Sequence, residues 1–217
     1  MESIEQLILS GKVMKALVRS FEPKIREFQK GEAILRKSAA EGRLCLLLKG
    51  TAYLCVENEY ADKQLLDFFT AGQIFYHDML PSPHNGHCFI HAKHPCTVAY
   101  FEPEQLRASA CHDPESAPAS LLFELFPAIA ADRNEHCHML QQKTIRGKLL
   151  AFLHYQSSLQ SSNTVRVPIP YSDLADYLTI DRSSLMTELG KMHTEGLIEK
   201  KAHTISLLPL SSYGSDG

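Results

Sequence analysis

Across residues 24–101 short apolar runs (33–35, 44–48, 52–56, 64–69 and 96–101) alternate with Gly-marked or polar breaks. Runs of about five residues divided by turns predict the strands of an antiparallel barrel or sandwich. Gly31, Gly50, Gly72 and Gly86 fall where turns need backbone angles that glycine adopts most freely. Residues 58–63 are a polar hairpin connection. Outside this stretch the period lengthens to three or four. Residues 1–20 carry a short helical pattern (Ile4, Leu7, Ile8, then Leu17 and Val18) broken near Gly11, and residues 102–111 read as a short helix. A longer pattern at 116–142 places Leu122, Leu125, Phe126, Ile129, His136, Met139 and Leu140 at spacings of three and four. Pro118 suits its first turn, whereas Pro127 is expected to kink or interrupt it. Such a stripe serves as core packing or as a dimer seam, and the seam is the preferred reading. Ile145, Leu149, Phe152 and Leu153 then form one helical face. "SSLQSSNTVRVPIP" reads as a linker plus a strand at 165–169 closed by Pro170.

The C-terminal stretch has the sharpest pattern. Ser172 is positioned to N-cap a first helix with Leu174, Ala175 and Leu178 inward. Thr179 and Ile180 form a tight turn, with Ile180 expected beneath it. Asp181 N-caps a second helix whose Leu185, Leu189 and Met192 fall at i, i+4 and i+7. That stripe leaves Ser183, Thr187, Gly190, Lys191 and Thr194 outward, with Arg182 in the first turn. Gly196 ends the helix, and "LIEKKAHTISLL" follows as two short strands around a basic tip. Two helices, a tight turn and a hairpin are the parts of a winged helix-turn-helix, whose second helix enters the DNA major groove. Arg182 can pair with guanine O6 and N7. Ser172, Ser184 and the helix N-terminal amides can hold phosphates, and Lys200, Lys201 and His203 add wing charge. The competing reading is a helical hairpin packed inside a larger fold. It leaves unexplained why small polar groups and one leading Arg replace solubilising Glu/Lys pairs on the outer face.

Composition narrows the class. The 217 residues allow one to two domains, and 44% hydrophobic content supports real cores. Net charge is −3, so no global polycation advertises a nucleic-acid partner. Residues 143–201 hold eight Lys/Arg against six Asp/Glu, leaving −5 for the rest. The six cysteines have no C-x-x-C or metal-finger spacing. No signal-peptide pattern and no apolar run of about 20 residues is found, so a cytoplasmic protein with reduced thiols and no membrane partner is expected. No nucleophile elbow, phosphate loop, H-E-x-x-H or dinucleotide fingerprint is present, and no enzyme is expected.

These motifs bring a resemblance into view. "FQKGEAIL", "LCLLLKGTAYLCVE" and "LLDFFTAGQIF" resemble the β-roll of the cyclic-AMP receptor protein/FNR (Crp/Fnr) family of bacterial transcription regulators. "YSDLADYLTIDRSSLMTELGKMHTEGLIEKKAHTISL" resembles its helix-turn-helix and wing without a gap. The resemblance implies an α+β chain in three parts. Residues 1–115 would be an antiparallel β-roll sensor, cyclic-nucleotide-binding-like and a double-stranded β-helix. Residues 116–142 would be the dimerisation helix and 143–217 the DNA-binding domain. It also implies a homodimer on a palindromic operator, RNA polymerase as a further partner, and a small-molecule effector. The family's base-contacting triplet falls on Arg182, Ser183 and Thr187. The first matches, whereas the best-known members carry an acid and a second Arg at the others, so their operator is not implied here.

The family's cyclic-nucleotide cassette is not preserved. Its Gly-Glu positions fall on Tyr76 and His77, with Asp78 in register after one insertion; its Arg-Ser positions fall on Gly86 and His87. No Arg lies between Arg43 and Arg107. Burying a phosphate without a cation is costly, so the effector is expected not to be cyclic nucleotide. Tyr76, His77, Asp78, Gly86, His87 and Cys88 mark the candidate effector pocket. His77, His84, His87, Cys88, His91, His94 and Cys96 are potential metal or haem ligands, against the plainer reading of loop histidines and a buried strand thiol. His87 and His91 share parity and could share a face. No cofactor is predicted, though haem or metal is the alternative, as in a redox- or gas-sensing module acting through a protein partner. No Cys precedes Cys45, so the family's N-terminal iron–sulfur mode is not expected. His136 and His138 beside Cys137 are a second candidate switch.

Overall fold

The computed structural model describes residues 18, 21–36, 43–76, 80–81, 86–102, 104 and 117–209. The N-terminal helical pattern, most of the 102–111 helix, and His77, Asp78 and His84 lie outside them. The chain divides into two compact units, residues 1–131 and 132–217.

Among its described residues the first unit is a β-domain of eight strands: β1 (Lys24–Phe28), β2 (Ala33–Arg36), β3 (Leu44–Lys49), β4 (Thr51–Glu57), β5 (Lys63–Thr70), β6 (Ile74–Tyr76), β7 (His87–Ala92) and β8 (Cys96–Phe101). They form two four-stranded antiparallel sheets, β1-β8-β3-β6 and β2-β7-β4-β5. Strand alternation sorts the side chains. Cys45, Leu47, Leu54, Phe75, Ile90 and Val98 fill the main core, while Leu44, Leu46, Ala99 and Phe101 point the other way into a second cluster with Phe21 and Ile129. The five apolar runs are all strands. The three additional strands are less apparent: β1 is mostly polar, β6 has three residues, and β7 interleaves histidines with its apolar positions. Gly31, Gly50, Gly72 and Gly86 all have positive φ. At the β3–β4 junction a Cβ on Gly50 would lie 2.3 Å from the Pro95 carbonyl. The 58–63 connection is built by Asn58, whose Oδ1 accepts from the Tyr60 and Asp62 amides (2.9 and 3.0 Å).

Helix α1 (Ala117–Gln141) leads into the second unit, with α2 (Ile145–Gln160), β9 (Thr164–Arg166), α3 (Tyr171–Tyr177), α4 (Arg182–Thr194), β10 (Ile198–Lys201) and β11 (Thr204–Leu207). The core of this unit joins Met139, Leu149, Phe152, Leu153, Leu174, Leu178, Leu185, Leu189 and Met192, all buried. The strands pair antiparallel in the order β10-β11-β9.

Four expectations need correction. Helix α1 is not interrupted at Pro127; one lost backbone bond does not end a helix whose Ile129 packs on the β-domain and whose Met139 is buried. "SSLQ" is the last turn of α2, ended by Ser161 in the left-handed region (φ 48°), and the strand is only Thr164–Arg166 because Pro168 has no N–H to continue the ladder. Ser172 does not cap α3. Pro170 does, with extended backbone (φ −57°, ψ 150°) and a carbonyl accepting from the Leu174 amide at 2.8 Å. Ser172 is inside the helix and donates to Asp173 Oδ1 at 3.0 Å. Ile180 is half-buried, and Leu178 supplies the cover beneath the turn.

Candidate nucleic-acid interface

Helix α4 starts where Asp181, in extended conformation, turns its carboxylate back onto the helix. Oδ2 accepts from the Ser184 amide (2.9 Å) and the Ser183 hydroxyl (2.5 Å), and these bonds hold the carboxyl below the usual carboxylate range. Leu185, Leu189 and Met192 are buried, so α4 can present only its other side. That side carries Arg182, Ser183, Met186, Thr187, Gly190, Lys191 and Thr194, all exposed. A Cβ on Gly190 would meet nothing within 4 Å. The helix ends at Gly196 (φ 74°), where the Leu197 amide donates to Met192 O at 2.9 Å.

Two cations of α2 hold this helix and its turn. Arg146 Nε donates to Glu188 (2.6 Å), and its two terminal nitrogens reach Glu195 (2.6 and 2.9 Å), keeping the Glu195 carboxyl below its ordinary range. Lys148 Nζ donates to Leu178 O and Thr179 Oγ1, both at 2.9 Å. Thr179 itself is left-handed (φ 52°), so the turn between α3 and α4 depends on a non-glycine residue braced by Lys148. Further support comes from α1: His136 lies flat on Tyr177 (3.9 Å, 7°) with Nε2 3.2 Å from Tyr177 O, and Asp132 accepts from the Tyr155 hydroxyl.

The wing is anchored on α3. Tyr171 donates its hydroxyl to Ala202 O (3.1 Å), and Lys200 Nζ sits 4.9 Å above the Tyr171 ring. Lys201 pairs with Glu199 at 2.7 Å, and His203 is exposed at the tip. Thus Arg182, Ser183, Thr187 and Lys191 share one exposed helix side, Ser184 is half-buried at its start, and Lys200, Lys201 and His203 lie on the hairpin. Ser172 is half-buried and hydrogen-bonded to Asp173. The sequence reading missed Arg146, Lys148, Tyr171 and Met186. Only Met186 left a signal: it is apolar yet falls off the Leu185–Leu189–Met192 stripe.

In the β-domain, Tyr76 is half-buried on β6. Gly86 (φ 109°) is pressed on β4, where a Cβ would lie 2.1 Å from Glu57 O, so this backbone has no room for an Arg. His87 is exposed opposite Glu57, Cys88 is buried, and His91 returns to the His87 face as parity predicts. His91 lies between Tyr53 and Phe89; burial, then Lys63 and Lys93, push its pKa down. Cys96 donates to Thr51 O and His94 O, and burial pushes its thiol up. Among the described residues no three His, Cys, Asp or Glu converge as metal ligands, five cysteines are free, and no helix is long and apolar enough to cross a membrane.

Comparison with known proteins agrees with this architecture. The cyclic nucleotide-binding domain family matches residues 25–110. No curated protein sequence matches the chain. Among solved structures, FixK2 of Bradyrhizobium japonicum is similar at 19% identity, covering 86% of this chain and 93% of that one with a TM-score of 0.66. CLP of Xanthomonas campestris, a c-di-GMP responsive global regulator, is similar at 15% identity over 90% and 99%, TM-score 0.61. A transcriptional regulator of the Crp/Fnr family from Eubacterium rectale is similar at 16% identity over 93% of each chain, TM-score 0.54. Residues 25–110 therefore match the cyclic nucleotide-binding domain family, and the chain shares its fold with these solved structures, a Crp/Fnr-family regulator among them.

Proposed function

We propose that the protein is a Crp/Fnr-type transcription regulator. In this reading residues 143–217 bind DNA, residues 116–142 pair two chains, and residues 1–115 respond to a small-molecule effector. The observation that carries it is α4: a capped helix braced from behind by Arg146, with a side of small polar groups led by Arg182. Such a helix fits the major groove, Arg182 supplies a guanine contact, and the helix start and wing supply phosphate contacts. Two copies would read half-sites about one helical turn (roughly 34 Å) apart. No catalytic role and no resident cofactor are part of this proposal. The effector is a molecule other than cyclic mononucleotide. Gly86 supports this, because its packed backbone excludes the cation that a buried phosphate requires. That CLP responds to c-di-GMP is consistent with a β-domain of this fold serving varied effectors.

Selection of duplex DNA from a random pool by the full-length protein at low salt tests the reading. An enriched palindrome with one-turn half-site spacing is expected. Recovery of no preferred sequence would overturn it.

A further inference from the structure

The exposed side of α4 has fewer hydrogen-bond donors than its composition suggests. The Ser183 hydroxyl donates to Asp181 Oδ2 at 2.5 Å, and the Thr194 hydroxyl donates to Gly190 O at 3.0 Å. Each is thereby committed within the protein and has only acceptor capacity left for a base edge. Gly190 offers no side chain and leaves open space. One turn beyond Arg182 stands Met186, one of four exposed large hydrophobic residues among the described residues, with 37% of its surface exposed. Thr187 beside it is exposed and carries a methyl group. An exposed thioether on a solvated helix gains nothing from water, whereas the only apolar feature of a base pair in the major groove is the thymine methyl.

We infer that Met186, with the Thr187 methyl, reads a thymine 5-methyl group. This rests on the proposed DNA-binding function and names the base class that α4 selects. Residues 182 and 186 are four positions apart, about 6 Å along the helix. The thymine therefore lies within about two base pairs of the guanine paired with Arg182. No hydroxyl donor of α4 needs to change partner for this contact to form.

The experiment uses full-length protein and the duplex it selects from a random pool. Each half-site thymine is replaced in turn by uracil, which removes one methyl and keeps the Watson–Crick edge. For the native protein one replacement should weaken binding about fourfold, the ratio that corresponds to burying one methyl-sized group. In Met186→Ala the same replacement should cost nothing, and Met186→Leu should restore most of the sensitivity. The inference is overturned if no thymine near the guanine is uracil-sensitive, or if Met186→Ala keeps the native sensitivity. Failure to select any sequence overturns the DNA-binding reading itself, a result distinct from binding without methyl dependence. Met186 is exposed, so circular dichroism of both variants should match the native chain and exclude misfolding as the cause.

Discussion

Replacing Asp181 by Ala removes the acceptor for the Ser184 amide and releases the Ser183 hydroxyl. Loss of such a cap costs about 1 kcal/mol, so urea denaturation of Asp181→Ala should show that decrease while Ser183→Ala shows less. Leu189, fully buried beneath α4, lies at the other extreme. Leu189→Ala should cost about 2–5 kcal/mol by lost burial plus cavity. Both roles are legible in the sequence, because a cap is set by its own next three residues and a stripe by its period. The bonds of Arg146 to Glu188 and Glu195, 42 and 49 positions away, are not. No local pattern encodes which distant carboxylates a cation will meet. Ser172 misled for a related reason: its capping chemistry is sound, but Pro170 reaches the helix start first.

Between elements, α1 meets α3 through His136, stacked on Tyr177 with Asp132 and Arg133 as the charged neighbours. Burial, the largest cause, holds its pKa below the ordinary 6.5 despite the bond to Tyr177 O. The unfolded chain therefore takes up the proton first. Stability conferred by the neutral ring is full above pH 6.5 and is lost as pH falls from 6.5 toward the lower folded value. His136→Phe keeps the stack and removes the titration. Its melting temperature should fall less between pH 7.5 and pH 5 than that of the native chain, and equal falls would refute a role for His136. The Arg146 tie behaves differently, since it lies at the surface. Arg146→Met should cost little, and the difference from the native chain should shrink at high salt. A salt-independent difference would show that Arg146 acts through packing.

Across the whole molecule, periodicity revealed five strands, the long helix and the helix-turn-helix. It did not reveal β1, β6 and β7, whose membership comes from register: the exposed KIREF strand lies along β8, three residues of β6 pair with β3, and β7 lies between β2 and β4. The β9 strand is legible in the sequence but with shifted bounds, 165–169 in place of Thr164–Arg166. The proposal that the effector is not cyclic nucleotide starts from a missing Arg in the sequence, and Gly86 packed on Glu57 supports it. Gly86→Arg, the change that would restore the cassette by sequence, should destabilise the β-domain and confer no cyclic-nucleotide affinity, as read by calorimetry with cyclic AMP.

The central claim is that α4 reads DNA, and Arg182 tests it most directly. On the selected palindrome, Arg182→Ala should weaken binding of the full-length protein by about 1–3 kcal/mol per half-site, while affinity for unrelated duplex at the same salt changes far less. Equal affinity of native and Arg182→Ala protein for the palindrome would contradict the account.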